Sequence, residues 1–325
     1  MAGCGLPIWK SCRRPAARAD AVAFSLFIDG AAGTTGLEIA ERLAGRSEFA
    51  LLTLDDADRK DAAKRRDALN AADFVILCLP DDAAREAAAM VTNPATRIID
   101  ASSAHRVADG WTYGFSELSA AQRQAIAGAP RVSNPGCYPT GFLALVAPLV
   151  AAGLLDGASP LTCNAVSGYS GGGKALIERF RADPALGFRS YALGLDHKHL
   201  PEMQAYARLN QPPVFAPAVV PVLRGMIVEV PLAAGVAEVD AVRACLSEHY
   251  AGSEIILQGT TSDGELLLRD EVPGWDSLEY FVFGGANGQI RLAARLDNLG
   301  KGASGACVQN LNLMAGLPET VGLRL

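Results

Sequence analysis

Six consecutive residues, His197 to Glu202, read HKHLPE and gather two of the chain's four histidines with a lysine and a glutamate. Such a cluster suits proton exchange near neutrality beside a bound anion, because imidazole titrates in that range and an ammonium supplies fixed charge. Metal binding is a rival use. Alternate histidines on a strand share a face, but no third soft ligand stands nearby, which leaves acid/base work with substrate binding, or a pair simply satisfied in the fold. A second group is the thiol of Cys137 in SNPGCYPTGF. If SNPG closes a strand and Cys137 opens an apolar helix running to residue 151, the sulfur lies beside N–H groups that lack helical partners. That position predicts a pKa below the usual value of about 8.5 and a nucleophilic thiolate. The plainer use of a cysteine there is as a small apolar packing residue.

A third group is glycine. Gly30, Gly33 and Gly36 form G-x-x-G-x-x-G after a short apolar run, FSLFIDG, and before the helical stripe Leu37, Ile39, Ala40 and Leu43. Glycine in that turn lets backbone and helix N-terminus approach a pyrophosphate, so a dinucleotide site is expected. Two cofactor choices stand opposed. Asp55 and Asp56, at the end of the next run, suit a ribose hydroxyl, whereas Arg59 and Lys60 suit a 2'-phosphate.

These groups need elements to hold them. FSLFIDG, ALLTLDD, FVILCLP and TRIIDAS alternate with Ala-rich charged segments of helical character. Continuous apolar strands alternating with helices predict a parallel sheet covered on both faces, a doubly wound Rossmann-type α/β domain. After about residue 155 the runs LTCNAVSG, AVVPVLRGMIVEVPL, SEIILQG and YFVFGGANGQIRLAARLD are longer and partly alternating, with one amphipathic segment, VDAVRACLSEHY. They predict a mixed or antiparallel sheet covered on one face, an α+β domain. QPPVFAP, residues 211–217, reads as a rigid loop, and KGASGACVQNLNLMAGL as a final helix returning to the first domain.

The whole chain sets bounds. At 325 residues, half of them hydrophobic, it is long enough for two interlocked cores. A net charge of −6 argues against a nucleic-acid partner. No run approaches the roughly 18 apolar residues of a membrane span. Seven dispersed cysteines without a CxxC pair read as reduced thiols in a cytoplasmic compartment. Residues 1–21 carry Lys10, Arg13, Arg14 and Arg18 against Asp20 alone and read as an organelle-targeting leader or a disordered tail outside the fold.

DGAAGTTG, CLPDD, DASSAHR, SNPGCYPT, SGYSGGGK, HKHLPE and DNLGKGASGACVQNLNLM, in this order, resemble the N-acetyl-gamma-glutamyl-phosphate reductases, the arginine-biosynthesis branch of the semialdehyde dehydrogenase superfamily. The likeness runs from about residue 24 to the C-terminus and is closest to the compact second subtype. It implies reductive dephosphorylation of N-acetylglutamyl 5-phosphate to the 5-semialdehyde and phosphate, with NADP(H) as cofactor and no metal. It implies a NADP-binding domain over 22–136 plus 300–325, a catalytic and dimerisation domain over 137–299, and a homodimer or homotetramer built on the second sheet.

Site residues carry over by the same resemblance. Cys137 matches the nucleophile and His199 the acid/base, with His197 as the alternative to it. Arg106, Asn134, Ser167, Tyr169, His197 and Glu202 match substrate contacts, Arg106 for the leaving phosphate and Asn134 for the oxyanion; Lys174 adds a cation. Gly30, Gly33, Thr34, Thr35, Gly36, Arg59, Ser102, Gly168, Asn298 and Gly302 match cofactor contacts. Competing expectations are a relative acting on aspartyl or carrier-linked aminoadipyl phosphate, and a dinucleotide-binding thiol redox sensor without turnover.

Overall fold

The computed structural model describes residues 23–55, 58–261, 264–269 and 274–325. The leader expected over 1–21 and the acid Asp56 lie outside the described residues. The N-terminal half runs β1 (Phe24–Asp29), α1 (Thr34–Leu43), β2 (Phe49–Leu52), α2 (Ala62–Ala71), β3 (Phe74–Leu77), α3 (Asp81–Met90), β4 (Arg97–Asp100), β5 (Thr112–Tyr113), α4 (Ala120–Gly128) and β6 (Arg131–Ser133). Its sheet is parallel throughout in the order β2-β1-β3-β4-β6-β5. The continuous apolar runs follow from burial on both sides. In β3, Phe74 and Ile76 point into a core with Ile39 and Leu43 of α1 and Ile126 of α4. Val75 and Leu77 point the other way, toward Leu69 of α2 and Ala87 of α3.

The second half begins with α5 (Cys137–Ala151), β7 (Thr162–Gly168), α6 (Gly173–Ala182), β8 (Arg189–Ser190) and α7 (Leu200–Tyr206). It continues through β9 (Val214–Val220), β10 (Met226–Leu232), α8 (Val239–His249), β11 (Ile256–Gln258), β12 (Leu278–Gly284) and β13 (Ile290–Leu296). The sheet order is β11-β12-β13-β10-β7-β9-β8. It is mixed: β10 runs antiparallel to β7 and β13, whereas β7 and β9 are parallel. Met226, Val228, Val230 and Leu232 of β10 are buried against α5 and α8, while Ile227, Glu229 and Pro231 face outward. That alternation is the one-sided covering expected for an α+β sheet.

Two readings of the sequence are corrected here. AVVPVLRGMIVEVPL is two strands, broken over 221–225 at Pro221 and at Gly225, whose φ is +96°. QPPVFAP is not all loop, because β9 starts at Val214 and carries Pro217 in register with Ala165. A proline is tolerated there because β9 lies one strand from the sheet edge, where β8 is only two residues long. A π-helical turn, Gly300–Ser304, then leads into α9 (Gly305–Met314), whose Cys307, Val308 and Leu311 pack into the first domain's core. Among the described residues no helix is long and apolar enough to cross a membrane.

Candidate active site

The β1–α1 turn closes tightly on itself. Gly30 has φ +89°, and a side chain there would meet the Cys78 carbonyl at 2.3 Å. The Gly33 N–H donates to the Gly30 carbonyl at 3.0 Å, and a side chain at Gly36 would lie 2.6 Å from the same oxygen. No side chain caps α1, so its first N–H groups, Thr34 and Thr35 among them, remain open to an anion. A cavity of about 310 Å³ adjoins the turn, lined by Gly30, Leu52, Leu54, Arg59, Arg65 and Leu79. Arg65 is held by Asp29 at 2.7 Å, and the Arg59 Nε donates to the Leu54 carbonyl at 3.2 Å. Asp55 is exposed and lies outside that lining. The glycine cradle, open helix terminus and cationic wall fit a dinucleotide.

A second cavity, about 550 Å³, opens between the two sheets and runs from Thr34 to Cys137. Cys137 is the first residue of α5, as its place after Asn-Pro-Gly predicts. Gly136, before it, is pressed from three sides: a side chain there would lie 2.6 Å from an Arg106 nitrogen, 2.8 Å from Glu202 Oε1 and 2.8 Å from His199 Nε2. Gly302 crowds the other flank, its substituted carbon 2.8 Å from Cys137 Cβ. These neighbours crowd the thiol, which is half-buried on the cavity lining. The helix terminus therefore does not win: burial pushes the Cys137 thiol up to about 11, while Arg106 and the N–H groups of Tyr138 and Cys137 itself pull the other way. The expectation of a lowered pKa is corrected, because burial outweighs the helix terminus.

Arg106 is not a free cation. Its Nε donates to the Asn134 carbonyl at 3.1 Å and a terminal nitrogen to Glu202 Oε1 at 2.6 Å. Glu202, fully buried, also accepts from the Tyr113 hydroxyl at 2.7 Å and the Gly136 N–H at 3.1 Å, so it orients the arginine and the turn before Cys137. Burial, Arg106, His197 and Lys198 hold the His199 imidazole well below its ordinary pKa, and His197 falls to about 4 through burial, Lys198 and Arg106. Both rings are neutral at pH 7. His197 Nδ1 accepts the His199 N–H at 3.1 Å, whereas His199 Nδ1 is buried without a partner.

The larger cavity brings together Gly33, Thr34, Thr35, Gly36, Arg106, Asn134, Cys137, Ser167, Gly168, Lys174, His197, His199, Asn298 and Gly302. Asn134 is engaged at both ends of its amide, donating to the Ala303 carbonyl at 2.9 Å and accepting from Asn310 at 3.0 Å, so it braces the loop behind the thiol. Asn298 likewise joins Gly225 and Ser170. Three residues read as contacts line neither cavity: Glu202, which stands behind Arg106, Tyr169 and Ser102. Tyr169 stacks on Phe180, and the Ser102 hydroxyl donates to Asp100 at 2.7 Å. Sequence reading missed Tyr138, Arg189 and Tyr191, which also line the cavity, as does Lys198, whose ammonium was noted within HKHLPE. Among the described residues no cluster of histidine, cysteine and acidic side chains has the makings of a metal site.

Comparison with known proteins agrees with this geometry. Residues 26–127 match the family model of the semialdehyde dehydrogenase NAD binding domain, and residues 137–298 that of the semialdehyde dehydrogenase dimerisation domain. The chain is 50% identical over 304 residues to an N-acetyl-gamma-glutamyl-phosphate reductase of Rhizobium meliloti (strain 1021), covering 89% of this chain and 98% of that one. It is 47% identical over 318 residues to N-acetyl-gamma-glutamyl-phosphate reductase 2 of Nostoc sp. (strain PCC 7120), covering 92% and 98%. Among solved structures, aspartate semialdehyde dehydrogenase II of Vibrio cholerae superposes with a TM-score of 0.71 at 17% identity, over 91% of this chain and 99% of that one. The Candida albicans aspartate semialdehyde dehydrogenase with NADP gives 0.63 at 16%, over 90% and 98%. At those identities the structural likeness speaks for the fold alone.

Proposed function

This chain belongs to the N-acetyl-gamma-glutamyl-phosphate reductases, a branch of the semialdehyde dehydrogenases, and on that footing we propose how its own residues perform the reaction. The enzyme uses a nicotinamide dinucleotide to reduce and dephosphorylate N-acetylglutamyl 5-phosphate to the 5-semialdehyde, a step of arginine biosynthesis. The observation that carries the residue roles is the meeting of Cys137, Arg106, Glu202 and His199 around Gly136.

Cys137 is the nucleophile. Its proton passes to His199, which is neutral and has nitrogen to spare, as the sulfur forms a bond to the acyl carbon. The carbon–oxygen bond to phosphate then breaks, phosphate leaves and a thioester remains on Cys137. A nicotinamide dinucleotide, its pyrophosphate held at the Gly30–Gly36 turn, would supply the hydride chemistry for this thioester. His199 returns its proton to the resulting alkoxide, takes it back as the thiohemiacetal collapses, and the aldehyde departs as the carbon–sulfur bond breaks. Arg106 and the N–H groups at the start of α5 stabilise the oxyanion and the thiolate. Glu202 keeps the guanidinium in place.

NADP is the cofactor form we favour, because Arg59 and Arg65 line the wall beside the second strand and Asp55 does not. We divide the chain into a nucleotide-binding unit, 22–136 with 300–325, and a catalytic unit, 137–299. Two copies pair through the uncovered face of the second sheet, in keeping with the matched dimerisation domain, and a tetramer would add a further face. The cytoplasm is the compartment that suits reduced thiols and a reduced cofactor.

The test is the phosphate-dependent reverse reaction on N-acetylglutamate semialdehyde, followed at the nicotinamide absorbance with NADP and then NAD. Cys137→Ser is expected to abolish turnover and His199→Ala to lower it about a hundredfold or more, with His197→Ala milder. Full turnover by Cys137→Ser would sink the nucleophile, and near wild-type turnover by His199→Ala with a dead His197→Ala would exchange the two histidines.

A further inference from the structure

Charge in the catalytic cavity is one-sided. Arg106, Lys174, Arg189 and Lys198 line it, and among the described residues no aspartate or glutamate does. Arg106 is already neutralised by Glu202 from behind. Lys198 lies in the field of Asp81. Arg189 differs from both: among the described residues no carboxylate lies within ion-pair distance, and its guanidinium sits over the Tyr191 ring, 4.5 Å from the centroid. That seat is firm. Arg189 belongs to β8 and pairs with Val219 of β9, and the Tyr191 hydroxyl donates to the Tyr138 hydroxyl at 3.3 Å, which donates on to the Ala218 carbonyl at 3.2 Å. The guanidinium of this half-buried residue thus rests on a hydrogen-bonded ring, one residue-contact away from the neighbour of Cys137.

The substrate proposed above carries two anions, an acyl phosphate at the reacting end and an α-carboxylate at the other. A planar guanidinium matches a carboxylate with two parallel hydrogen bonds, whereas lysine ammonium acts as a point charge, equally good for a rotating phosphate. Lys174 follows three glycines at the start of α6 and has no ring or strand fixing it, which suits it to the phosphate that must arrive and leave. We propose that Arg189, seated on Tyr191, binds the α-carboxylate of the substrate and makes the enzyme selective for an N-acylated amino acid over a simple aldehyde. This rests on the reading of the reaction given above.

The reverse reaction separates the two ideas. Wild type is offered N-acetylglutamate semialdehyde and 4-acetamidobutanal, which is the same molecule without the carboxylate, and kcat/KM is compared with that of Arg189→Gln. Wild type should prefer the carboxylated substrate by about tenfold to a hundredfold, and the variant should lose that preference, with KM for phosphate unchanged and Arg189→Lys recovering part of it. An unchanged preference in the variant, or a raised KM for phosphate in its place, overturns the assignment. No turnover of either aldehyde by wild type would instead indict the reaction.

Discussion

Burial pushes the Cys137 thiol up to about 11, and that sets how it should react. A thiol with a pKa of about 11 has roughly one thiolate in ten thousand at pH 7. Alkylation of the Cys137 peptide by iodoacetamide, read by mass spectrometry, should therefore rise about tenfold per pH unit from 7 to 9 without levelling. A plateau below pH 8 would mean that Arg106 and the helix N–H groups outweigh burial. The place of the thiol was legible, because Asn-Pro-Gly followed by an apolar run marks a strand-to-helix turn wherever it occurs. Its proton affinity was not, since the groups that bury it, Gly302 and His199, come from distant parts of the chain. Arg106 entered only through the family resemblance of its motif, and its partner Glu202, 96 residues away, was not legible as such.

Elements position the site through what they leave out as much as through what they hold. The N-cap of α5 is Gly136 in ordinary extended geometry, φ −73° and ψ 153°, which alanine adopts without strain. Its lack of a side chain is required by Arg106, Glu202 and His199, all within 3.0 Å of where a methyl group would stand. Gly136→Ala should then leave the melting temperature within a few degrees while lowering kcat by tenfold or more, because at least one of the three must move. A variant with normal kcat would show that the cluster can relax around a methyl group and that its spacing is loose. Four of the first sheet's six strands, β1 to β4, were read from their apolar runs, whereas the short β5 and β6 have no such run. The edge of the second sheet was not legible either. A two-residue β8 and a proline inside β9 carry no periodicity, and Arg189 and Tyr191 stand on or beside that short strand.

At the scale of the molecule, the two sheets are joined by ion pairs that neither half forms alone. Arg42 of α1 meets Asp276, just before β12, at 2.9 Å with both side chains buried, and Arg224, before β10, reaches Glu38 of α1 at 2.9 Å. Asp276 also accepts the Arg324 N–H at 2.9 Å, tying the C-terminus to the same point. The helix so anchored is the one whose N-terminus opens toward the dinucleotide, so the pair holds the cofactor end against the half that carries Cys137. Nothing in the sequence pointed to it, because residues 42 and 276 are 234 apart and each is an unremarkable charge in its own segment. Arg42→Met leaves Asp276 buried without its partner, and breaking one side of a buried pair costs about 3–5 kcal/mol. Urea unfolding should show the unfolding free energy falling by that amount, and the midpoint with it, while far-UV dichroism and tryptophan fluorescence still change together. If the signals separate into two transitions, Arg42 is the link that makes the halves unfold as one; if the midpoint hardly moves, the return of α9 into the first core holds them together without it.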